Sequence, residues 1–142
     1  MIKKILLIFV LFTISLFGQV EIEDDALFVR VPEYKNKNLH CEIVIMKTGG
    51  WAIYFIETDE KINIITTDNY RYNFKSSEVN NDNGFWMSTT ISLDNDTQKK
   101  ILKDIINSEY VIITTEKKVY GFYFSKYKKE LENNAFYKEI MQ

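Results

Sequence analysis

Cysteine, histidine and proline occur only once each in this chain of 142 residues. Cysteine and histidine are the side chains on which many catalytic and metal sites depend. Because Cys41 is alone, no intramolecular disulfide can form, and stability must come from side-chain packing. Because His40 is alone, sites that need two imidazoles are excluded, as are the common structural zinc sets. Adjacent strand residues point to opposite faces, so His40 and Cys41 do not form a nucleophile–base pair. Cys41 alternates with Leu39 and Ile43, which predicts a core residue.

The motifs of catalytic and ligand sites are missing as well. The chain has no Gly-x-Ser-x-Gly elbow and no glycine-rich loop for phosphate. Residues 80–84 have the composition of a calcium loop, which needs an oxygen ligand at position one and a glutamate at position twelve. With Gly84 at position six, these positions are Val79 and Thr90, so the pattern of a calcium loop is not met. No two carboxylates are set apart by environment, as acid–base catalysis requires. The sequence therefore predicts no catalytic residue, no metal site and no cofactor, and a carboxylate-dependent hydrolase is the least favoured function.

The chain also lacks a marked excess of either sign of charge. The chain carries 18 basic and 20 acidic residues, a formal net charge of −2. Its densest basic group, Lys126, Lys128 and Lys129, is followed directly by Glu130 and Glu132, a pattern typical of a solvated helix face. Nucleic-acid binders normally carry a basic patch or stripe, so the sequence predicts no nucleic-acid partner.

The one long apolar run lies at the start of the chain. Lys3 and Lys4 precede an apolar stretch over residues 5–17, and the small residue Gly18 follows. This order is typical of a secretory signal peptide, and the stretch is shorter than the roughly 20 residues of a membrane-spanning helix. An uncleaved anchor is the alternative. We expect a leader over 1–18, a single globular domain over 19–142, no membrane span after cleavage, and export from a bacterial cell to the periplasm or the outside.

Beyond the leader, period-two alternation of apolar residues is the dominant pattern, and it predicts half-buried strands. It recurs near residues 27–31, 39–45, 51–57, 61–66, 70–74, 85–93, 110–115 and 119–124, with turn residues between them. A polar loop is expected over 76–84. The prediction is a mainly β (α+β) fold, an antiparallel meander of about seven or eight strands forming a curved sheet or sandwich. A closed barrel of lipocalin type is the alternative.

Two helices are expected within this fold. Asn95 with Gln98 three residues later is placed as a capping box, and Ile101, Leu102, Ile105 and Ile106 form a stripe at helical spacing. These features predict a helix over about 95–107. A second helix is expected over about 125–138, weakened by two consecutive asparagines at 133–134.

Aromatic residues are the one excess, at 15% of the chain. Packing of a core without disulfides accounts for most of them. Tyrosine and tryptophan also dominate binding hot spots, which predicts a possible binding surface at Trp86, Tyr70, Tyr72 and Tyr120. The function expected is that of a non-enzymatic binding module, as in an inhibitor, an immunity-type protein or an envelope accessory factor. Its partner would be another protein or an envelope component. The alternative is a carrier of a small apolar ligand inside a barrel or cupped sheet.

Overall fold

The computed structural model describes residues 19–56, 60–73, 75–77, 87–89 and 95–142, and side chains are considered at 19–56, 60–73 and 96–142. The mainly β (α+β) prediction is confirmed. In these ranges the strands are β1 (Gln19–Glu23), β2 (Ala26–Pro32), β3 (His40–Met46), β4 (Trp51–Phe55), β5 (Ile62–Thr66), β6 (Arg71–Asn73), β7 (Lys75–Ser77), β8 (Met87–Thr89), β9 (Val111–Thr115) and β10 (Val119–Phe122). The helices are α1 (Asn95–Asn107), a 3-10 turn (Phe124–Tyr127), α2 (Lys128–Asn133) and α3 (Ala135–Met141).

The described strands form two antiparallel sheets. The first has the order β1-β2-β3-β4-β8-β7 and the second the order β10-β9-β5-β6. A meander runs through β1 to β4, after which the chain passes to the second sheet, returns with β7 and β8, and passes back with β9 and β10. Alternation along a strand fixes which side chains face the core, but neighbours in sequence need not be neighbours in a sheet. The strands of the described ranges thus form two sheets rather than one closed barrel.

One hydrophobic core joins the two sheets and α1. The first sheet contributes buried side chains such as Ile43 and Ile53, and the second contributes Ile65 and Ile113. The predicted stripe on α1 (Ile101, Leu102, Ile105 and Ile106) is buried in the same cluster. Phe55 of β4 lies 6.0 Å from Phe122 of β10, measured between ring centroids, and this contact links the sheets directly.

Cys41 lies in this core with no exposed surface, which confirms its prediction as a core residue. Burial, followed by the neighbouring Glu42 carboxylate, raises the pKa of the Cys41 thiol. A thiol in this setting stays protonated and is a poor nucleophile.

The predicted internal helix is confirmed, since α1 runs from Asn95 to Asn107. The predicted C-terminal helix is divided into the 3-10 turn, α2 and α3. The break falls at Asn134, where the backbone is extended and the side chain accepts a hydrogen bond from the Tyr137 amide. Asparagine has low helix propensity and is a strong N-cap, so it ends α2 and begins α3.

Two strand predictions change in detail. The strand expected over 70–74 is present as β6 in the second sheet, and an additional strand, β7 of the first sheet, follows it with one residue between them. The expected loop over 76–84 is wrong for Ser76 and Ser77, which pair with Ser88 and Met87 in β8. Backbone pairing to a distant strand has no signature in this polar stretch, so composition alone predicted a loop. Residues 78–84, Trp86 and the predicted leader over 1–18 lie outside the described residues.

Candidate binding surface

Two of the predicted binding residues, Tyr72 and Tyr120, lie at opposite ends of one row across the second sheet. The row runs Tyr120–Ile113–Ile65–Tyr72 through β10, β9, β5 and β6. Both isoleucines are fully buried, so the row faces the core. Three strand spacings separate the two tyrosines, which is about 14 Å. Tyr72 and Tyr120 are therefore not neighbours on one patch.

The phenol of Tyr72 connects the second sheet to α1. Its hydroxyl donates a 2.8 Å hydrogen bond to the Asp104 carboxylate. Asp104 also accepts hydrogen bonds from the Thr67 hydroxyl at 2.6 Å and from the Asn69 amide at 2.7 Å. Burial opposes ionisation of Asp104, but the hydrogen bonds from Asn69, Thr67 and Tyr72 together lower its pKa. This network holds the β5–β6 turn against the helix.

Tyr120 has a similar role at the other end of the row. Its hydroxyl donates to both carboxylate oxygens of Glu60, at 2.8 and 2.9 Å, and the Thr115 hydroxyl donates to the same group at 2.8 Å. Burial and the bond to Glu60 raise the pKa of Tyr120 to about 12. The ring packs on Phe55 of the first sheet, with centroids 5.0 Å apart. Tyr120 thus stabilises the contact between the sheets.

Tyr70 is the predicted residue that the structure leaves most open. Its side chain is 65% exposed and its ring lies 5.9 Å from that of Tyr72. Of the four predicted residues, Tyr70 and Tyr72 are thus brought together, Tyr120 is distant, and Trp86 lies outside the described ranges.

A denser aromatic surface is formed by Tyr34, Tyr110 and Tyr123, which we call the tyrosine cluster. Tyr34 lies in the β2–β3 loop, Tyr110 just before β9 and Tyr123 just after β10. Ring centroids are 6.4 Å apart for Tyr34 and Tyr110, 5.4 Å for Tyr34 and Tyr123, and 4.9 Å for Tyr110 and Tyr123. Both pairs that include Tyr34 meet edge to face, the arrangement that aromatic quadrupoles favour. Tyr34 is 51% exposed.

Gly121 of β10 makes room for the cluster. A Cβ atom at this position would lie 1.6 Å from the Tyr110 hydroxyl oxygen and 2.3 Å from the ring carbon that carries it. Only glycine therefore fits beneath the Tyr110 ring. An aromatic ring that covers a strand glycine also compensates for the side chain that the glycine lacks.

A buried carboxylate fixes the loop that carries Tyr34. Glu33 is 5% exposed and accepts hydrogen bonds from the backbone amides of Gly121 at 3.2 Å, Lys35 at 2.6 Å and Asn36. The Tyr34 amide donates to the Gly121 carbonyl at 2.8 Å. The β2–β3 loop thus docks on the outer edge of β10 and satisfies backbone groups that an edge strand would expose. The hydrogen bonds of Glu33 and Tyr34 to the backbone of Gly121 therefore fix the position of Tyr34.

Two lysines lie over the rings of the cluster. The Lys37 ammonium is 5.4 Å from the Tyr34 ring centroid, and the Lys126 ammonium is 5.1 Å from that of Tyr123. Both distances are within the range of cation–π attraction. Burial, then the neighbouring Tyr123, Glu33 and Tyr34, raises the pKa of Tyr110.

The cluster continues into the outer face of the second sheet. Alternation places Tyr110, Ile112 and Thr114 on this face, and β10 adds Val119, which is 66% exposed. Alternation was a usable signal for Tyr110 and Tyr123. No pattern marks Tyr34, because its position depends on a loop that docks on a strand far away in sequence.

A row of polar side chains lies on the face of the first sheet that is opposite the core. Arg30, Glu42 and Tyr54 are directly opposite one another on β2, β3 and β4. The Arg30 guanidinium lies 3.0 Å from the buried Glu42 carboxylate, which also accepts a hydrogen bond from the Tyr54 hydroxyl. Burial and that hydrogen bond raise the pKa of Tyr54. Because Arg30 and Tyr54 both bind the Glu42 carboxylate, we assign this row a structural role.

A search of the described residues for three or more His, Cys, Asp or Glu side chains placed to hold a metal ion finds none. Within the same residues, no helix combines the length and apolarity that crossing a membrane requires. Comparison of the chain with family models, with curated proteins and with solved structures finds no match.

Proposed function

We propose that this protein is an exported, non-enzymatic binding module, of inhibitor, immunity or envelope-accessory type, that contacts a macromolecular partner through the tyrosine cluster. The observation that supports this proposal most is the way the cluster is built. Three tyrosines from three separate segments meet at the surface, above a glycine at which a Cβ would overlap the Tyr110 ring and beside a buried carboxylate.

Pre-organisation favours binding over a purely structural role. Tyr34 leaves half of its side chain in water, yet its loop is held on β10 because the Glu33 carboxylate accepts from the Gly121 amide and the Tyr34 amide donates to the Gly121 carbonyl. A side chain that is already ordered loses little conformational entropy when a partner binds. Tyrosine supplies a large contact area with few rotatable bonds, which is why it is enriched in hot spots.

The leader pattern over 1–18 supports export, and the chemistry of the described residues gives catalysis no support. Cys41 is buried with a raised pKa, and the Glu42 carboxylate is engaged by Arg30 and Tyr54. No observation on the described residues favours the alternative of a small-ligand carrier. The side chains between the sheets form one continuous hydrophobic cluster across the described ranges.

Affinity capture from the cell envelope of the source organism tests the proposal, with two matched variants. Tyr34→Ala removes the exposed member of the tyrosine cluster, which is 51% exposed. Tyr70→Ala removes a tyrosine of the β5–β6 turn that is 65% exposed. We expect the parent protein and Tyr70→Ala to retain one stoichiometric partner and Tyr34→Ala to lose it. Loss with Tyr70→Ala alone would move the surface to Tyr70 and Tyr72. Capture that both variants leave unchanged would contradict binding through either surface.

A further inference from the structure

We infer that the partner of the tyrosine cluster is a protein segment that carries carboxylate and apolar side chains. This inference rests on the proposed function and names its partner class. It follows from the charges around the cluster, from the way the rings are covered, and from the apolar strand surface that continues beyond Gly121.

The charges exposed around the cluster are mostly positive. The segments that carry the three tyrosines expose Lys35, Lys37 and Lys126, against the carboxylate of Glu109. One further exposed carboxylate, that of Asp68, accepts a hydrogen bond from the Glu109 amide. The Glu33 carboxylate is buried and engaged by three backbone amides, so it does not compete with a ligand for these lysines. This local excess of positive charge stands out in a chain whose net charge is −2. Opposite charge on a partner steers its approach and fixes its register.

The covering of the rings disfavours a sugar or a base as the bound group. Both need an open aromatic face on which to stack. Here the Lys37 and Lys126 ammonium groups lie over the rings of Tyr34 and Tyr123, and these two rings meet edge to face. The cluster therefore presents ammonium groups held in place by aromatic rings. Such groups suit anionic oxygen atoms, which they bind as charge-assisted hydrogen-bond donors.

The neighbouring strand surface favours a protein segment as the partner over other polyanions. Beyond Gly121, the outer face of the second sheet carries Val119, which is two-thirds exposed, and Ile112, which is half-buried. An acidic polysaccharide has no apolar side chains to place there. A peptide that combines carboxylates with apolar residues can contact both parts of the surface.

Fluorescence anisotropy with a short labelled peptide of alternating Glu and Leu tests this inference on the full purified protein. The comparison probes are the matching Gln/Leu peptide and polygalacturonate. We expect saturable binding of the Glu/Leu peptide that weakens as salt rises, and binding of each comparison probe at least about tenfold weaker.

Two charge-matched double variants complete the test. Lys37→Gln/Lys126→Gln should weaken binding of the Glu/Leu peptide about tenfold. Lys100→Gln/Lys103→Gln removes the same charge from exposed positions on α1, outside the proposed surface, and should change the affinity less than about twofold. Equal losses in both double variants, equal binding of either comparison probe, or no saturable binding would overturn the inference. If envelope capture still depends on Tyr34 while the Glu/Leu peptide fails to bind, the partner class is wrong and the proposed function stands.

Discussion

Tyrosines serve two different purposes in two regions of this molecule. Within the sheets, Tyr72, Tyr120 and Tyr54 each donate a hydroxyl hydrogen bond to a carboxylate, on Asp104, Glu60 and Glu42 respectively. In the tyrosine cluster, Tyr34, Tyr110 and Tyr123 contact one another and lysines instead. The polar partner distinguishes the two uses. A phenol bound to a carboxylate is committed to the fold, whereas rings that pack on each other at the surface remain available to a partner.

The largest expected effect comes from Gly121→Ala. The added methyl group would overlap the Tyr110 hydroxyl, so strand and ring must move apart, at a cost of about 3 kcal/mol in the free energy of unfolding. Urea unfolding measures this cost. Adding Tyr110→Ala removes the overlap and should reduce the further loss caused by Gly121→Ala to under about 1 kcal/mol.

Gly50→Ala is the control for that change. Its Cβ would lie 3.1 Å from the flexible end of Met46, which can move aside. We expect a loss of less than about 1 kcal/mol. A Gly121→Ala protein as stable as the Gly50→Ala protein would show that Tyr110 is not seated on Gly121.

Asp104→Asn should be the next largest effect. The amide cannot accept hydrogen bonds from Thr67, Asn69 and Tyr72 as the carboxylate does, so we expect a loss of about 2 kcal/mol at neutral pH. The folded-state pKa of Asp104 is lowered, so its contribution is present above the unfolded pKa and is lost as pH falls through the folded value.

Urea unfolding at neutral and acidic pH checks both parts of that prediction. The difference between the parent protein and Asp104→Asn should shrink at acidic pH. Glu116→Gln in the exposed β9–β10 turn is the control and should change stability little at either pH. A difference that is independent of pH would contradict the role given to the ionised carboxylate.

Tyr120→Phe should cost about 1 kcal/mol at neutral pH, because one hydrogen bond to Glu60 is lost while Thr115 still binds that carboxylate. The folded-state pKa of Tyr120 is raised to about 12 from the usual tyrosine value of 10.0. Its contribution is therefore present below pH 10 and is lost as pH rises towards 12. Phenolate absorbance should show one fewer late-titrating tyrosine in the variant. An unchanged titration curve would contradict the assignment.

Tyr34→Ala should have the smallest effect on stability, about 0.5 to 1 kcal/mol, because the side chain is half exposed and the backbone bonds of its loop remain. Thermal or urea unfolding measures this loss. A much larger loss would place Tyr34 with the structural tyrosines and weaken the case that its exposed side chain serves a partner.

The elements predicted best from sequence were those whose signal is local. The signal for helix α1 is an apolar stripe at helical spacing, which lies entirely within its own 13 residues. The assignment of strands to sheets depends on distant pairings, such as β4 with β8, that alternation does not encode. Val20 and Ile22 alternate with Glu21 and Glu23, yet β1 was not predicted, because so short a segment beside the expected leader gives a weak signal.

The surface was harder to predict than the fold for the same reason. Alternation describes Tyr72 and Tyr120 correctly as members of one face, but not that Ile65 and Ile113 bury this face. Tyr34 belongs to a loop without periodicity. Its place beside Tyr123 follows from the Glu33 carboxylate and the Gly121 amide, which are 88 residues apart in sequence.

Calorimetric affinity of the captured partner for Tyr34→Ala and Tyr70→Ala tests the comparison between the two regions most directly. The tyrosine cluster as the binding surface predicts at least a tenfold rise in Kd, about 1.4 kcal/mol, for Tyr34→Ala and less than about a twofold change for Tyr70→Ala. Equal Kd values for Tyr34→Ala and the parent protein would contradict it.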